Sequence, residues 1–182
     1  MNDRPHVTLR RFERSDATAV HRWFNTPAAT ASLMEQRDGF SLEQAEAWVG
    51  RAMDDSGEDR KYAIEVEGYD DPVGFTALYG LFRQTAPELG ALIGDDVRGK
   101  GVGRRAEALT LAKAFDEFDA HRVYGRIPAR NEVAKKTVAG LGWKHEGTMR
   151  AHLRREGAPA DDCEVWGVLP DEFRAAAADL LS

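Results

Sequence analysis

The stretch Glu88-Leu89-Gly90-Ala91-Leu92-Ile93-Gly94-Asp95-Asp96-Val97-Arg98-Gly99-Lys100-Gly101-Val102-Gly103-Arg104-Arg105 decides the reading of this chain. Its first six residues, Glu88 to Ile93, form a short apolar-rich strand. Its last residues open a helix that runs to about Asp119, because Ala108, Leu111, Phe115 and Phe118 recur at helical spacing. Between strand and helix lie glycines at 99, 101 and 103, with Arg98, Lys100, Arg104 and Arg105 among and beside them. Glycine lets the backbone approach a ligand without side-chain clashes. The first N–H groups of the following helix lack intrahelical partners, and with the helix dipole they favour a phosphate or pyrophosphate. The alternative is a tight strand-to-helix turn that binds nothing. A Walker loop is excluded, since Gly103 is followed by Arg104-Arg105 where Lys-Ser/Thr is required. A dinucleotide fingerprint is excluded because the pattern is R-x-x-G-x-G, mid-chain, behind antiparallel strands.

Upstream of this turn, Val7 to Phe12 alternates as a strand. Ser15-Asp16 precedes a helix carrying Ala19, Val20, Trp23 and Phe24. Asn25 to Phe40 is irregular and polar, the composition of a substrate loop. Ser41-Leu42-Glu43-Gln44 is a capping box before a helix with Ala45, Trp48, Val49 and Ala52. Lys61 to Glu67 and Pro72 to Phe82 read as strands joined by the turn Gly68 to Asp71. Downstream, His121 to Pro128 is a strand, and Asn131 begins a short helix ending at Gly140 or Gly142. Trp143 to Leu153 and Cys163 to Leu169 are strands, and Asp171 to Leu181 is a last helix. The order βααβββαβαββ plus a terminal helix implies a mixed sheet covered by helices in one domain, residues 1–182.

The 182 residues suffice for a core without disulfides or metals. One cysteine, Cys163, excludes an internal disulfide and a thiolate metal site, and it reads as packing beside Val165. His6, His21, His121, His145 and His152 show no ligand spacing, so no metal is expected. The net charge of −6 disfavours general nucleic-acid binding and suits a cationic substrate. No signal pattern and no apolar run of membrane-spanning length is present, so a cytoplasmic protein without membrane contact is expected. A homodimer is compatible with the sequence but is not read from it.

The loop Arg98-x-x-Gly101-x-Gly103 resembles the acetyl-CoA pyrophosphate site of the GNAT acyltransferase superfamily. The likeness extends to Asn131 and to the run Gly140-Leu141-Gly142-Trp143-Lys144-His145-Glu146-Gly147-Thr148-Met149-Arg150, which is similar to the RimJ/RimL-like branch with Trp143 in place of phenylalanine. Asp162 to Leu169 and the opening Leu9-Arg10-Arg11-Phe12…Asp16 also look like that branch. The resemblance implies a mostly antiparallel, seven-stranded α/β sheet flanked by helices, with a splayed central strand pair. It implies acetyl-CoA as cosubstrate and a primary amine as acceptor. Protein N-termini, polyamines and amine-bearing small molecules such as antibiotics all remain open. Carried over by position, Ala91, Leu92 and Ile93 present backbone groups to the pantetheine arm and acetyl carbonyl. Arg98, Gly99, Lys100, Gly101, Val102, Gly103 and Arg104 hold the pyrophosphate, and Asn131 bonds the cofactor or simply caps its helix.

Acetyl transfer needs a neutral amine, a donor for the oxyanion and a departing thiolate. The acid and base positions known in the family are altered here. A tyrosine seven positions after the asparagine is Val138, a serine three after it is Ala134, and a glutamate five before it is Arg126. Glu88 is therefore the first candidate base and Asp162 the next, with Glu164 behind them; each has the alternative of an exposed charge or a structural ion pair. Proximity alone can supply much of the rate. Glu35 and Asp38, in the polar loop, are candidates for meeting a cationic substrate. The lost acid and base positions leave a second reading, a non-catalytic acetyl-CoA-binding regulatory module.

Overall fold

The computed structural model describes residues 5–26, 39–154, 157, 159–178 and 180. Its strands are β1 (Val7–Arg10), β2 (Arg60–Val66), β3 (Gly74–Tyr79), β4 (Glu88–Ile93), β5 (Val123–Pro128), β6 (Lys144–Leu153) and β7 (Asp161–Val168). Its helices are α1 (Ala17–Phe24), α2 (Leu42–Met53), α3 (Val102–Ala112), α4 (Glu132–Ala139) and α5 (Pro170–Ala177). One seven-stranded sheet takes the order β1-β2-β3-β4-β5-β7-β6. All neighbours are antiparallel except β4 and β5. That parallel pair is joined at a single register position, Glu88 opposite Tyr124. Beyond Glu88 the two strands part, which is the splay the resemblance implies.

Each face of the sheet has its own cover, and strand alternation decides which residue goes where. Phe75, Ala77 and Leu92 lie under α1 and α2, packed with Val20, Trp23, Phe24 and Val49. On the opposite face α3 bridges two clusters. Val102 and Ala106 pack on Val7, Ile64 and Val73. Ala108 and Leu111 pack on Leu89, Val123, Val138 and Phe173. A buried hydroxyl pair, Thr110 and Thr76 at 2.7 Å, docks α3 onto β3. The cluster under α1 and α2 reaches Leu92 of β4 and includes no residue of β5.

Several boundaries differ from the sequence reading for identifiable reasons. Strand β3 ends at Tyr79 because Gly80 turns out at φ +68. The long helix leaves α geometry after Ala112 and finishes in a π turn, Lys113–Glu117. Asp16 does not cap α1 with its side chain. It is buried, pairs with both terminal nitrogens of Arg10 at 2.7 and 2.9 Å, and accepts Glu13 N–H at 2.8 Å. The Ser41–Gln44 capping box forms in both directions, at 3.2 and 2.7 Å. Asn25 ties the two ends of the polar loop together, donating to Phe40 C=O at 2.8 Å and accepting Phe40 N–H at 2.9 Å. Glu35 and Asp38 lie outside the described residues.

Candidate functional site

The basic turn follows β4 through a 3-10 turn, Asp95–Val97, which sets Arg98 in extended backbone. Gly101 is the N-cap of α3 with φ +81, and nothing stands within 4 Å of where its Cβ would be. A left-handed residue under open space is what a close ligand approach requires. The first helical hydrogen bond of α3 is Arg105 N–H to Gly101 C=O at 3.1 Å. The N–H groups of Val102, Gly103 and Arg104 precede it and are presented at the helix end. The basic side chains are arranged around this end. Arg98 pairs with Asp95 at 2.9 Å, Lys100 donates to Tyr69 Oη at 2.9 Å, and Arg104 donates to Gly140 C=O at 2.8 Å. Gly140 closes α4, so Arg104 links the anion turn to the helix that follows β5.

The gap between β4 and β5 starts beside this turn. Ala91 lies on an inner strand and is exposed, because β5 has left it; Leu92 is buried under α1 and α2, and Ile93 packs toward α3. One edge of the β4 backbone beyond Glu88 thus has no strand partner. Asn131 stands at the far side of the gap, at the start of α4. Its Oδ1 accepts Ala134 N–H at 3.1 Å, so it is a helix cap, and its side-chain amide donors have no partner among the described residues. Val138, at the place of a tyrosine acid, is buried in the core.

At the closed end of the gap, Glu88 reaches across to β5. Arg126 grips it with two hydrogen bonds, 2.8 and 3.0 Å, and Tyr124 Oη lies at 3.4 Å. Burial, and then Glu88 itself, push the Tyr124 phenol up, so it stays a donor at neutral pH. The Glu88 hydrogen bonds push the Arg126 guanidinium up. The Glu88 side chain is 18% exposed, enough for water to reach it. Arg126, noted in the sequence as the loss of a glutamate, is thus the partner of a glutamate arriving from the neighbouring strand. Asp162 is elsewhere and occupied: its Oδ1 accepts Ala151 N–H at 2.7 Å between β7 and β6. Glu164 bonds Lys135 and Trp166 Nε1 at 3.3 and 2.9 Å. A cavity of about 310 Å³ lies beside Trp48, Asp54, Glu58, Asp59 and Lys61. Its carboxylates are engaged by Ser56 N–H, Arg83 and Lys61 respectively.

Sequence reading missed Glu107, on the inner face of α3. It is 9% exposed, its Oε2 is buried without a hydrogen-bond partner, and burial pushes its carboxyl up to about 8. The only advance signal was a charged residue at a core position of the helical pattern, between Ala106 and Ala108. A carboxyl raised in the folded state stabilises fully below its unfolded value, near 4.5, and that contribution is lost as pH rises toward 8. Without ligand, stability should therefore fall across this window by on the order of 4 kcal/mol and then level off. Urea titrations of the wild type and Glu107→Gln at pH 5 and pH 8 check this. The Gln variant should lose most of the slope, and equal slopes would show that Glu107 ionises freely in the fold.

These features meet in a known pattern. Residues 6–144 match the family model of the acetyltransferase (GNAT) domain. The chain belongs to the GNAT acetyltransferases. It is an acetyl-CoA-dependent N-acyltransferase. The acetyltransferase is 24% identical over 144 residues to the spermidine N(1)-acetyltransferase of Escherichia coli K12, covering 79% of this chain and 75% of that protein. Its fold is similar to the spermidine N-acetyltransferase of Vibrio cholerae, solved with CoA and spermine, with TM-score 0.82 and 20% identity over 92% of this chain and 97% of that one. Mycobacterium smegmatis RimJ, solved with CoA-disulfide, gives TM-score 0.81 and 20% identity over 96% of this chain and 87% of that one. Among the described residues of the acetyltransferase, no helix is long and apolar enough to cross a membrane.

Proposed function

We propose that this acetyltransferase acetylates a primary amine of a polyamine or similar small cation, by direct transfer in a ternary complex in the cytoplasm. The carrying observation is the Glu88 carboxylate, held by Arg126 at the closed end of the β4/β5 gap. The relationship to a spermidine acetyltransferase and the net charge of −6 support a cationic acceptor. The run from Gly140 to Arg150 supports the RimJ/RimL-like branch.

In this reading the Val102, Gly103 and Arg104 N–H groups hold the pyrophosphate, with Arg98, Gly99, Lys100 and Gly101 around it. The free backbone edge at Ala91, Leu92 and Ile93 receives the arm, and an Asn131 amide N–H completes the opposite wall. Acetyl-CoA supplies an activated thioester. A polyamine arrives mostly as ammonium, with a pKa near that of lysine at about 10.4. Glu88 takes its proton, directly or through water. Arg126 and Tyr124 fix the carboxylate's orientation. A β4 backbone N–H faces the developing oxyanion. Asp162 is the weaker claimant for base, because Ala151 N–H already occupies it.

The test is thiol release from saturating acetyl-CoA with spermidine, spermine, an N-terminal peptide series and an aminoglycoside. Spermidine or spermine should give the highest kcat/KM. A peptide or aminoglycoside turned over faster would replace the polyamine reading.

A further inference from the structure

Among the described residues, two side-chain polar atoms are buried without a hydrogen-bond partner, Glu107 Oε2 and Trp143 Nε1. Trp143 meets Gly125 with its Cζ3–Cη2 edge, and its Nε1 lies at the other end of the indole. Glu107 is different, because neighbours along the helix locate it. Gly103, Glu107 and Thr110 are spaced i, i+4 and i+7, so they share one line of α3. Both ends of that line touch the sheet. A Cβ on Gly103 would stand 3.2 Å from Ile93 Cγ1 of β4. Thr110 bonds Thr76 at 2.7 Å, and Thr76 pairs with Ala91 in the β3–β4 register. Glu107 therefore lies between these two contacts, over the β3–β4 pair at the level of Ala91 to Ile93, and β4 is the strand whose other edge β5 has vacated. Its elevation comes from burial alone, with no charged partner.

A buried acceptor with nothing to accept from is costly, and an apolar side chain of similar length would avoid the cost. The spacing says what could satisfy it. Glu107 is five residues beyond Val102, which is about 7.5 Å down the helix from the anion-binding end. The arm of CoA reaches its first amide about six single bonds from the nearer phosphorus, a comparable length.

We propose that Glu107 is a cofactor-positioning residue whose orphan carboxyl oxygen accepts an amide N–H of the acyl-CoA arm as that arm passes between β4 and β5. This rests on the cofactor reading above. With its pyrophosphate on the helix end and its amide on Glu107, the arm is held at two points along one helix. Its position along the gap, and hence the position of the thioester, is then set by α3.

The experiment compares wild type, Glu107→Met and Glu107→Gln by calorimetry at pH 7. The ligands are acetyl-CoA and 3′-phosphoadenosine 5′-diphosphate, which has the pyrophosphate but no arm. Glu107→Met should weaken acetyl-CoA by about tenfold and leave the nucleotide unchanged, while raising the ligand-free melting temperature at pH 8. Glu107→Gln, which keeps an acceptor oxygen, should bind acetyl-CoA within about threefold of wild type. An unaffected Met variant overturns the inference. So does an equal loss for both ligands, or a Met variant that melts lower or fails to fold, since the carboxyl would then have a structural partner inside the protein. A wild type that binds neither ligand overturns the cofactor reading itself, and this inference with it.

Discussion

Gly101→Asp should raise the dissociation constant for acetyl-CoA by about a hundredfold or more while the chain stays folded. The position is chosen so that charge is separated from fold. Gly101 sits at φ +81, where a non-glycine residue costs about 1–2 kcal/mol, and aspartate is among the residues that tolerate it best. Nothing stands within 4 Å of the new Cβ, so no neighbour has to move. What changes is the potential at the end of α3. A carboxylate there meets each phosphate charge with about 3 kcal/mol of repulsion at roughly 5 Å and an effective dielectric of 20. Gly101→Asn has the same shape and backbone demand without the charge, and should lose less than about tenfold. Calorimetry on both variants, with thermal melts to establish folding, makes the comparison. If Asp and Asn bind alike, the pyrophosphate is not at this helix end.

Glu88→Gln should lower kcat by about a hundredfold or more at neutral pH, the scale of general-base catalysis. Acetyl-CoA affinity should barely move, because Glu88 sits at the closed end of the gap, away from the anion turn. The loss should shrink as pH rises toward 10, since more amine then arrives neutral. The structure adds a control that separates a base from a structural ion pair. Arg126→Met removes both hydrogen bonds to Glu88 but leaves the carboxylate in place, whereas Glu88→Gln keeps one acceptor oxygen for Arg126 and loses the carboxylate. If the pair matters only for folding, Arg126→Met should be at least as damaging as Glu88→Gln, since it deletes both bonds. If Glu88 is the base, Arg126→Met should cost clearly less kcat than Glu88→Gln, because it disturbs the carboxylate's orientation but leaves the base in place. A Glu88→Gln enzyme with near-wild-type kcat would leave catalysis to orientation and the backbone contact, with bulk water taking the proton.

The order of strands and helices was legible along the chain because it depends on local pattern. Alternation, helical spacing, the Ser41 capping box and the glycines of the anion turn are set by residues within a few positions of one another. The anion turn was readable for the same reason: its ligands are consecutive backbone groups, so one stretch of sequence holds the whole device. Asn131 as a helix cap was equally local. What tertiary structure alone decided is what meets across strands. Glu88 and Arg126 are 38 residues apart, and only the parallel placement of β4 beside β5 joins them. The sequence therefore showed Arg126 as the absence of a glutamate, and the fold shows it as the partner of one. Asp162 looked as free as Glu88 until strand pairing brought Ala151 N–H to it. Glu107 stood in the sequence only as a charge between Ala106 and Ala108, at a core position of the helix. Its meaning depends on which line of α3 turns to the sheet and on β5 leaving β4 at that level. Both follow from packing summed over many residues, and no single stretch of the chain encodes them.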